Sequence, residues 1–216
     1  MLILVTNRRL CRDDYLTRLD RLAKAGPQAI ILREKDLEQQ EYELLAQKVL
    51  SICEVNNVEF IINKNIDAAV KLNIPNIHLS MEDLRNYKNR LRRFKCAGAS
   101  VHSADEAAEA RELGADYLIA GHIFSTDCKA GLPPRGLAFL KEICCRVDIP
   151  VFAIGGITGD RVQAVLETGA KGVCIMSEAM TCSRPSCLPF FSGQQTSAVH
   201  RHEAFPGKQA AYRWYL

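Results

Sequence analysis

No apolar run in the 216-residue sequence approaches the 18 or more residues that a membrane-spanning helix requires. The opening segment MLILVTNRRLCRDD meets charge at Arg8, too early for the apolar core of a secretory leader, so a cytoplasmic location is expected. An excess of one charge is also missing. With 28 basic and 25 acidic side chains the formal net charge is +3, which gives no electrostatic footprint for nucleic acid. Low-complexity tracts are absent, and 48% hydrophobic with 25% charged residues is globular composition, which excludes a disordered or collagen-like chain.

Cysteine is not scarce. Nine cysteines stand at 11, 53, 96, 128, 144, 145, 174, 182 and 187, an odd number, several of them inside apolar runs. A reduced thiol there acts as a small hydrophobe, and the pattern points to a reducing compartment.

Eight short runs rich in Ile, Leu and Val recur: LILVT (2–6), AIILR (29–33), EFIIN (59–63), NIHLS (76–80), CAGASV (96–101), DYLIA (116–120), PVFAI (150–154) and GVCIM (172–176). Near-continuous apolar runs of this length fit parallel strands buried on both faces. Between them, segments 37–55, 103–115 and 158–170 carry apolar residues at helical spacing, with Ser103 and Thr158 placed as N-caps and Gly114 and Gly169 placed to end helices. Eight strand-helix units predict a compact (β/α)8 TIM barrel over 1–180, with an open doubly wound sheet as the alternative.

Segment 181–216 breaks this rhythm with three prolines, two glycines and no sustained apolar stripe, and an irregular tail is expected in place of a regular eighth helix. Cys182, Cys187, His200 and His202 approach a zinc-finger pattern, but the two histidines are closer than the usual three to five intervening residues allow.

In such a barrel chemistry collects where strands end. Those positions hold Thr6-Asn7, Arg33-Glu34-Lys35, Asn63-Lys64, His78 and Ser80, His102-Ser103, Gly121-His122, Gly155-Gly156 and Met176-Ser177. Arg33, Lys35, Lys64 and Lys129 would crowd one rim, which calls for an anionic ligand. Gly155, Gly156 and Ser177 follow the last two strands, where such barrels hold phosphate on bare backbone. His122 precedes the loop FSTDCKAGLPPRG (124–136) and is the proton-transfer candidate, with Thr126 and Lys129 in a loop able to order over an anion. Cys128 has no demonstrable base beside it. His78 is expected to hydrogen-bond within the barrel, and His102 either contacts ligand or only neighbours a helix cap.

The segments ILREK (31–35), FIINKNID (60–67), HLSMEDL (78–84), GASVHS (98–103), GADYLIAGHIFSTDCKAGLPPRG (114–136), IPVFAIGGIT (149–158) and ETGAKGVCIMS (167–177) together resemble the thiamin phosphate synthase superfamily. GHIFSTDCK and VTNRRLC are more similar to the TenI-like branch, the thiazole tautomerases. His122 stands where the synthase pattern has proline, and Cys128 where it has a second threonine. That branch implies a metal-independent proton transfer that aromatises a carboxythiazole ethyl phosphate. His122 would carry the proton. Gly155, Gly156 and Ser177 would hold the phosphate, and Arg33, Lys35 or Lys129 would balance the carboxylate. No cofactor is implied, the partner is the small thiazole phosphate, and a homodimer is expected by analogy.

The synthase, the alternative, uses Mg²⁺ held by two aspartates. Lys64 occupies the first of those positions and only Asp83 stands at the second. Exchanging a carboxylate for an ammonium deletes an oxygen ligand and adds a repelling charge. A third reading is a non-catalytic TenI-like barrel that binds thiazole phosphates in regulation.

Overall fold

The structure, a computed structural model, describes residues 1–183 and 205–207. Eight parallel strands close into a barrel in chain order. They are β1 (Leu2–Val5), β2 (Ala29–Leu32), β3 (Glu59–Asn63), β4 (Asn76–Ser80), β5 (Cys96–Val101), β6 (Tyr117–Gly121), β7 (Val151–Ile154) and β8 (Gly172–Ile175). Closure is made by β1 on β8, with Leu2 opposite Val173, Ile3 opposite Cys174 and Leu4 opposite Ile175. The open-sheet alternative is thereby excluded.

Each strand is apolar on both faces because each face meets its own core. On β1, Ile3 and Val5 point into the barrel with Ile31, Ile61, Ile119 and Cys174, whereas Leu2 and Leu4 pack outward with Leu19, Leu22 and Ile30 against the helical ring. This double burial removes the polar alternation that a half-exposed sheet would show.

The helices are α1 (Tyr15–Lys24), α2 (Gln39–Val55), α3 (Ile66–Lys71), α4 (Met81–Tyr87), α5 (Ala104–Glu112), α6 (Gly136–Arg146), α7 (Val162–Leu166) and α8 (Ser177–Thr181). Tyr42, Ala46, Val49 and Cys53 form the buried stripe of α2 at three- and four-residue spacing. Ser103 caps α5 by accepting from the Glu106 amide, and Gly114 and Gly169 both sit at φ +95°, where a side chain would be strained. Thr158 does not cap α7. It precedes a 3-10 turn at Gly159–Arg161, makes no side-chain cap bond, and α7 begins only at Val162.

The eighth helix has five residues, and a buried arginine from α1 secures its end. Arg18 Nη1 donates to the carbonyls of Ala179 (3.1 Å) and Cys182 (2.8 Å), while its Nε pairs with Asp13 at 2.6 Å. These bonds satisfy carbonyl groups that further helical turns would otherwise use. Of the cysteine-histidine pattern in the tail, Cys187, His200 and His202 lie outside the described residues. Phe205 returns to the inner core, its ring 5.3 Å from Tyr117 and 6.3 Å from Phe152. Among the described residues, no helix is long and apolar enough to cross a membrane.

Candidate functional site at the strand ends

A cavity of about 350 Å³ opens at the C-terminal ends of the strands. Its floor is the inner core itself, from Val5, Ile31, Ile119, Ile154 and Cys174. Arg33, Asn63, His102, His122, Thr126, Lys129, Gly155, Gly156 and Ser177 all line it. Lys35 and Lys64 do not.

Lys35 stands close enough to the lining cations to be affected by them. Its ammonium is held below the ordinary lysine value, first by Arg33, then by partial burial, then by Lys64 and Lys129. Among the described residues, Arg33, Lys35 and Lys129 have no carboxylate partner. An anion entering the cavity would relieve that repulsion.

The turn holding Arg33 and Lys35 is fastened from beneath by Glu34. This buried carboxylate accepts from Thr6 Oγ1 at 2.7 Å, Tyr15 Oη at 3.0 Å and the Arg8 amide at 3.0 Å. Thr6 Oγ1 in turn accepts from the Arg33 amide at 3.0 Å. Burial, then the charge of Glu34, pushes the Tyr15 hydroxyl well up, so it remains a donor. Thr6 and Glu34 are thus fasteners, and the two cations flanking Glu34 are left for other work.

Lys64 is engaged elsewhere. Its Nζ lies 3.0 Å from Asp83 Oδ2, the oxygen that also accepts from the Ser80 hydroxyl in the capping box of α4. Partial burial pushes the Asp83 carboxyl up, but Ser80 and Lys64 outweigh it and leave the group below its usual range. A divalent cation at this point would have to displace an ammonium and would find one carboxylate oxygen already shared. Among the described residues no three His, Cys, Asp or Glu side chains gather as metal ligands. The donor set does not fit Mg²⁺.

His122 follows Gly121 through a cis peptide and is buried at the cavity wall. Its Nε2 is 3.3 Å from the Leu132 carbonyl oxygen, which can only accept. Nε2 therefore carries the hydrogen in the neutral ring, and Nδ1 holds the lone pair. Gly155 makes room for this ring. A Cβ at Gly155 would collide with His122 Cβ, and one at Gly156 with the Ser125 carbonyl oxygen; both glycines have positive φ, +102° and +63°. The loop amides of Ile123 and Phe124 bond the carbonyls of Ile154 and Gly155 at 2.9 and 3.0 Å, so the two turns are one unit.

His102 Nδ1 donates to the Gly121 carbonyl at 2.9 Å, which places a second imidazole against the peptide preceding His122. Cys128 Sγ is 3.2 Å from Ser177 Oγ, a hydroxyl and not a base. Sequence reasoning missed four lining residues, Ser100, Thr158, Glu178 and, as a cavity group, His78. Ser100 was within reach, since Gly98 and Ser100 share one face of β5 at a period of two and His102 follows just past its end. Partial burial, then Asp160, raises the Glu178 carboxyl above its usual value.

The model of the thiamine monophosphate synthase (TMP-TENI) family matches residues 2–179. A thiamine-phosphate synthase of Clostridium acetobutylicum is 34% identical over 186 residues, 85% of this chain and 88% of that protein. One from Synechococcus sp. (strain WH7803) is 40% identical over 143 residues, 65% of this chain but only 40% of that longer protein. The solved thiamine phosphate pyrophosphorylase of Pyrococcus furiosus superposes with a TM-score of 0.79 at 30% identity, over 89% of this chain and 93% of its own. On a match that spans all eight strands, the chain belongs to the thiamine monophosphate synthase family.

Proposed function

We propose that the cavity is a thiazole tautomerase site that aromatises a carboxythiazole ethyl phosphate by proton transfer, without a metal. The observation that carries this reading is His122, a buried imidazole with Nε2 tied to the Leu132 carbonyl and Nδ1 left as the base, in a cavity edged by unpaired cations. In this reading Nδ1 takes the proton from the ring carbon that bears the carboxylate. The imidazolium then delivers a proton to the exocyclic carbon of the ylidene. No atom is gained or lost, and the ring becomes aromatic. The enzyme has only to hold the substrate still and keep one acid-base group near the working pH.

The Gly155-Gly156 turn and Ser177 would hold the phosphate, and Arg33 or Lys129 on the cavity wall would balance the carboxylate, with the charge of Lys35 behind them. Asn63, His102 and Thr126 would line the remainder of the substrate's surface.

A second reading, a thiamine-phosphate synthase, has the names of the relatives described above on its side, and on names alone it is the better supported of the two. The Lys64–Asp83 pair weighs against it, because that reaction needs Mg²⁺ and the donor set does not fit the ion. One sample separates the readings. Purified protein is given the exocyclic carboxythiazole phosphate in EDTA and the ultraviolet change of aromatisation is followed. The same protein then receives Mg²⁺, the pyrimidine pyrophosphate and the thiazole phosphate. Turnover in the first arm supports the tautomerase. Turnover in the second arm alone supports the synthase, and binding without turnover in either supports the regulatory barrel.

A further inference from the structure

At the floor of the cavity a third imidazole lies in the barrel interior, outside the chemistry assigned to His122. His78 on β4 is buried, with Nδ1 3.2 Å from Tyr117 Oη on β6 and Nε2 2.8 Å from Ser100 Oγ on β5. The His78 and Tyr117 rings stack with centroids 5.5 Å apart. The Tyr117 ring occupies the space that the absent side chain of Gly98 leaves, since a Cβ there would collide with it. Ser100 and His78 both line the cavity, and Tyr117 does not.

The direction of these hydrogen bonds follows from burial. Tyr117 Oη has His78 as its one hydrogen-bond partner among the described residues, and its phenol proton must be donated there or left bare in the core. If Oη donates to Nδ1, the hydrogen of the neutral imidazole sits on Nε2 and is donated to Ser100 Oγ. Ser100 Oγ likewise has His78 as its one partner among the described residues. Its own proton is then free to point into the cavity. The opposite direction would leave the phenol proton unpaired. Desolvation drives His78 down to about 3 and the Tyr117 hydroxyl well above its ordinary value, so both stay neutral at any working pH.

We propose that Tyr117 and His78 are positioning residues that fix Ser100 as a hydrogen-bond donor, so that the cavity floor selects a ligand with an acceptor atom at that point. A heteroaromatic ring nitrogen or a carboxylate oxygen supplies such an acceptor; a ring N–H or an amino group does not. The identity of the ligand rests on the proposed function, whereas the direction of the relay does not.

Two measurements test it on the full chain. The first is the ¹⁵N–¹H correlation pattern of ¹⁵N-histidine-labelled protein, with His78 assigned by loss of its signal in His78→Gln. The expected result is the Nε2–H tautomer, unchanged between pH 6 and pH 8. An Nδ1–H tautomer would overturn the relay.

The second is a double-mutant cycle read by calorimetric affinity for the carboxythiazole ethyl phosphate and for the thiazole phosphate lacking the carboxylate. Ser100→Ala is expected to weaken binding about ten-fold, and Tyr117→Phe by a smaller factor through loss of the fixed tautomer. The double variant should bind no worse than Ser100→Ala alone, because Tyr117 acts only through Ser100. A loss confined to the carboxylated probe assigns the acceptor to the carboxylate, and a loss with both assigns it to the ring nitrogen. Additive losses would overturn the relay. Failure of both probes to bind wild-type protein would overturn the thiazole phosphate reading, and the tautomer measurement then decides the relay. Melting temperatures confirm folding, and His78→Gln, expected to weaken binding as Ser100→Ala does, is the second variant if Tyr117→Phe does not fold.

Discussion

Lys64 and Asp83, 19 positions apart in sequence, meet in an ion pair of 3.0 Å between the ends of β3 and β4. That pair occupies the two positions at which the resemblance to the synthase implies carboxylates. Its consequence can be reversed by a single substitution. Lys64→Asp removes the ammonium and adds a second oxygen donor beside Asp83. The variant should bind Mg²⁺ at least ten-fold more tightly than wild type in a calorimetric titration. Equal, already tight binding by the wild type would contradict the account of this site.

The crowding of cations around Lys35 has a calorimetric signature. Its ammonium titrates below the ordinary lysine value because Arg33, partial burial, Lys64 and Lys129 disfavour the charged form. A bound anion restores the charge. Between the lowered value and the ordinary one, binding should take up protons, and affinity should fall as pH rises. Titrations of the carboxythiazole ethyl phosphate in steps from pH 8 to pH 10.5, each in two buffers of different ionisation enthalpy, measure the uptake directly. Zero uptake would show that Lys35 does not sense the ligand.

His78 makes stability depend on acid. Its folded value is about 3 while an exposed histidine titrates near 6.5, so below pH 6.5 the unfolded chain binds a proton that the folded chain refuses. The stabilisation is complete above pH 6.5 and is lost as pH falls toward 3, with a limiting slope of about 1.4 kcal/mol per pH unit. Urea unfolding between pH 4 and pH 7 should show a steeper loss for wild type than for His78→Gln. Parallel curves would mean that the imidazole is protonated in the fold.

The short eighth helix depends on Arg18. Arg18→Met keeps the length of the side chain but leaves the Ala179 and Cys182 carbonyls without their donor. A cost of ~2–4 kcal/mol is expected in urea unfolding. Ligand affinity should fall as well, because Ser177 begins that helix. On the opposite end of the barrel, Phe205→Ala should cost ~1–2 kcal/mol by removing a half-buried ring from Tyr117 and Phe152, with ligand affinity unchanged.

The strands were legible because burial on both faces turns each into an unbroken apolar run, and the observed ends differ from the sequence reading by about one residue. Ser103 was legible as a cap because capping is local. Thr158 was not, because the 3-10 turn that displaces α7 depends on how the loop meets its neighbours. Strand-end positions carried Arg33, His122 and the Gly155-Gly156 turn into one cavity, since the barrel alone brings them there. The engagement of Lys64 by Asp83, and of His78 by Tyr117 and Ser100, joins different strand units. Nothing in the spacing of one unit states what the next will place opposite it.

The most direct test of the account is a pair of numbers for His122→Asn, measured in EDTA with the exocyclic carboxythiazole phosphate. Asparagine has no basic nitrogen, and its shorter side chain also gives up the Nε2 hydrogen bond to the Leu132 carbonyl. The rate of aromatisation should fall by roughly 10²–10⁴-fold, the usual contribution of a general acid-base group. Affinity for the aromatic product should change less than about three-fold. A variant that aromatises the substrate at the wild-type rate would remove His122 from the chemistry and with it the proton-transfer reading of this site.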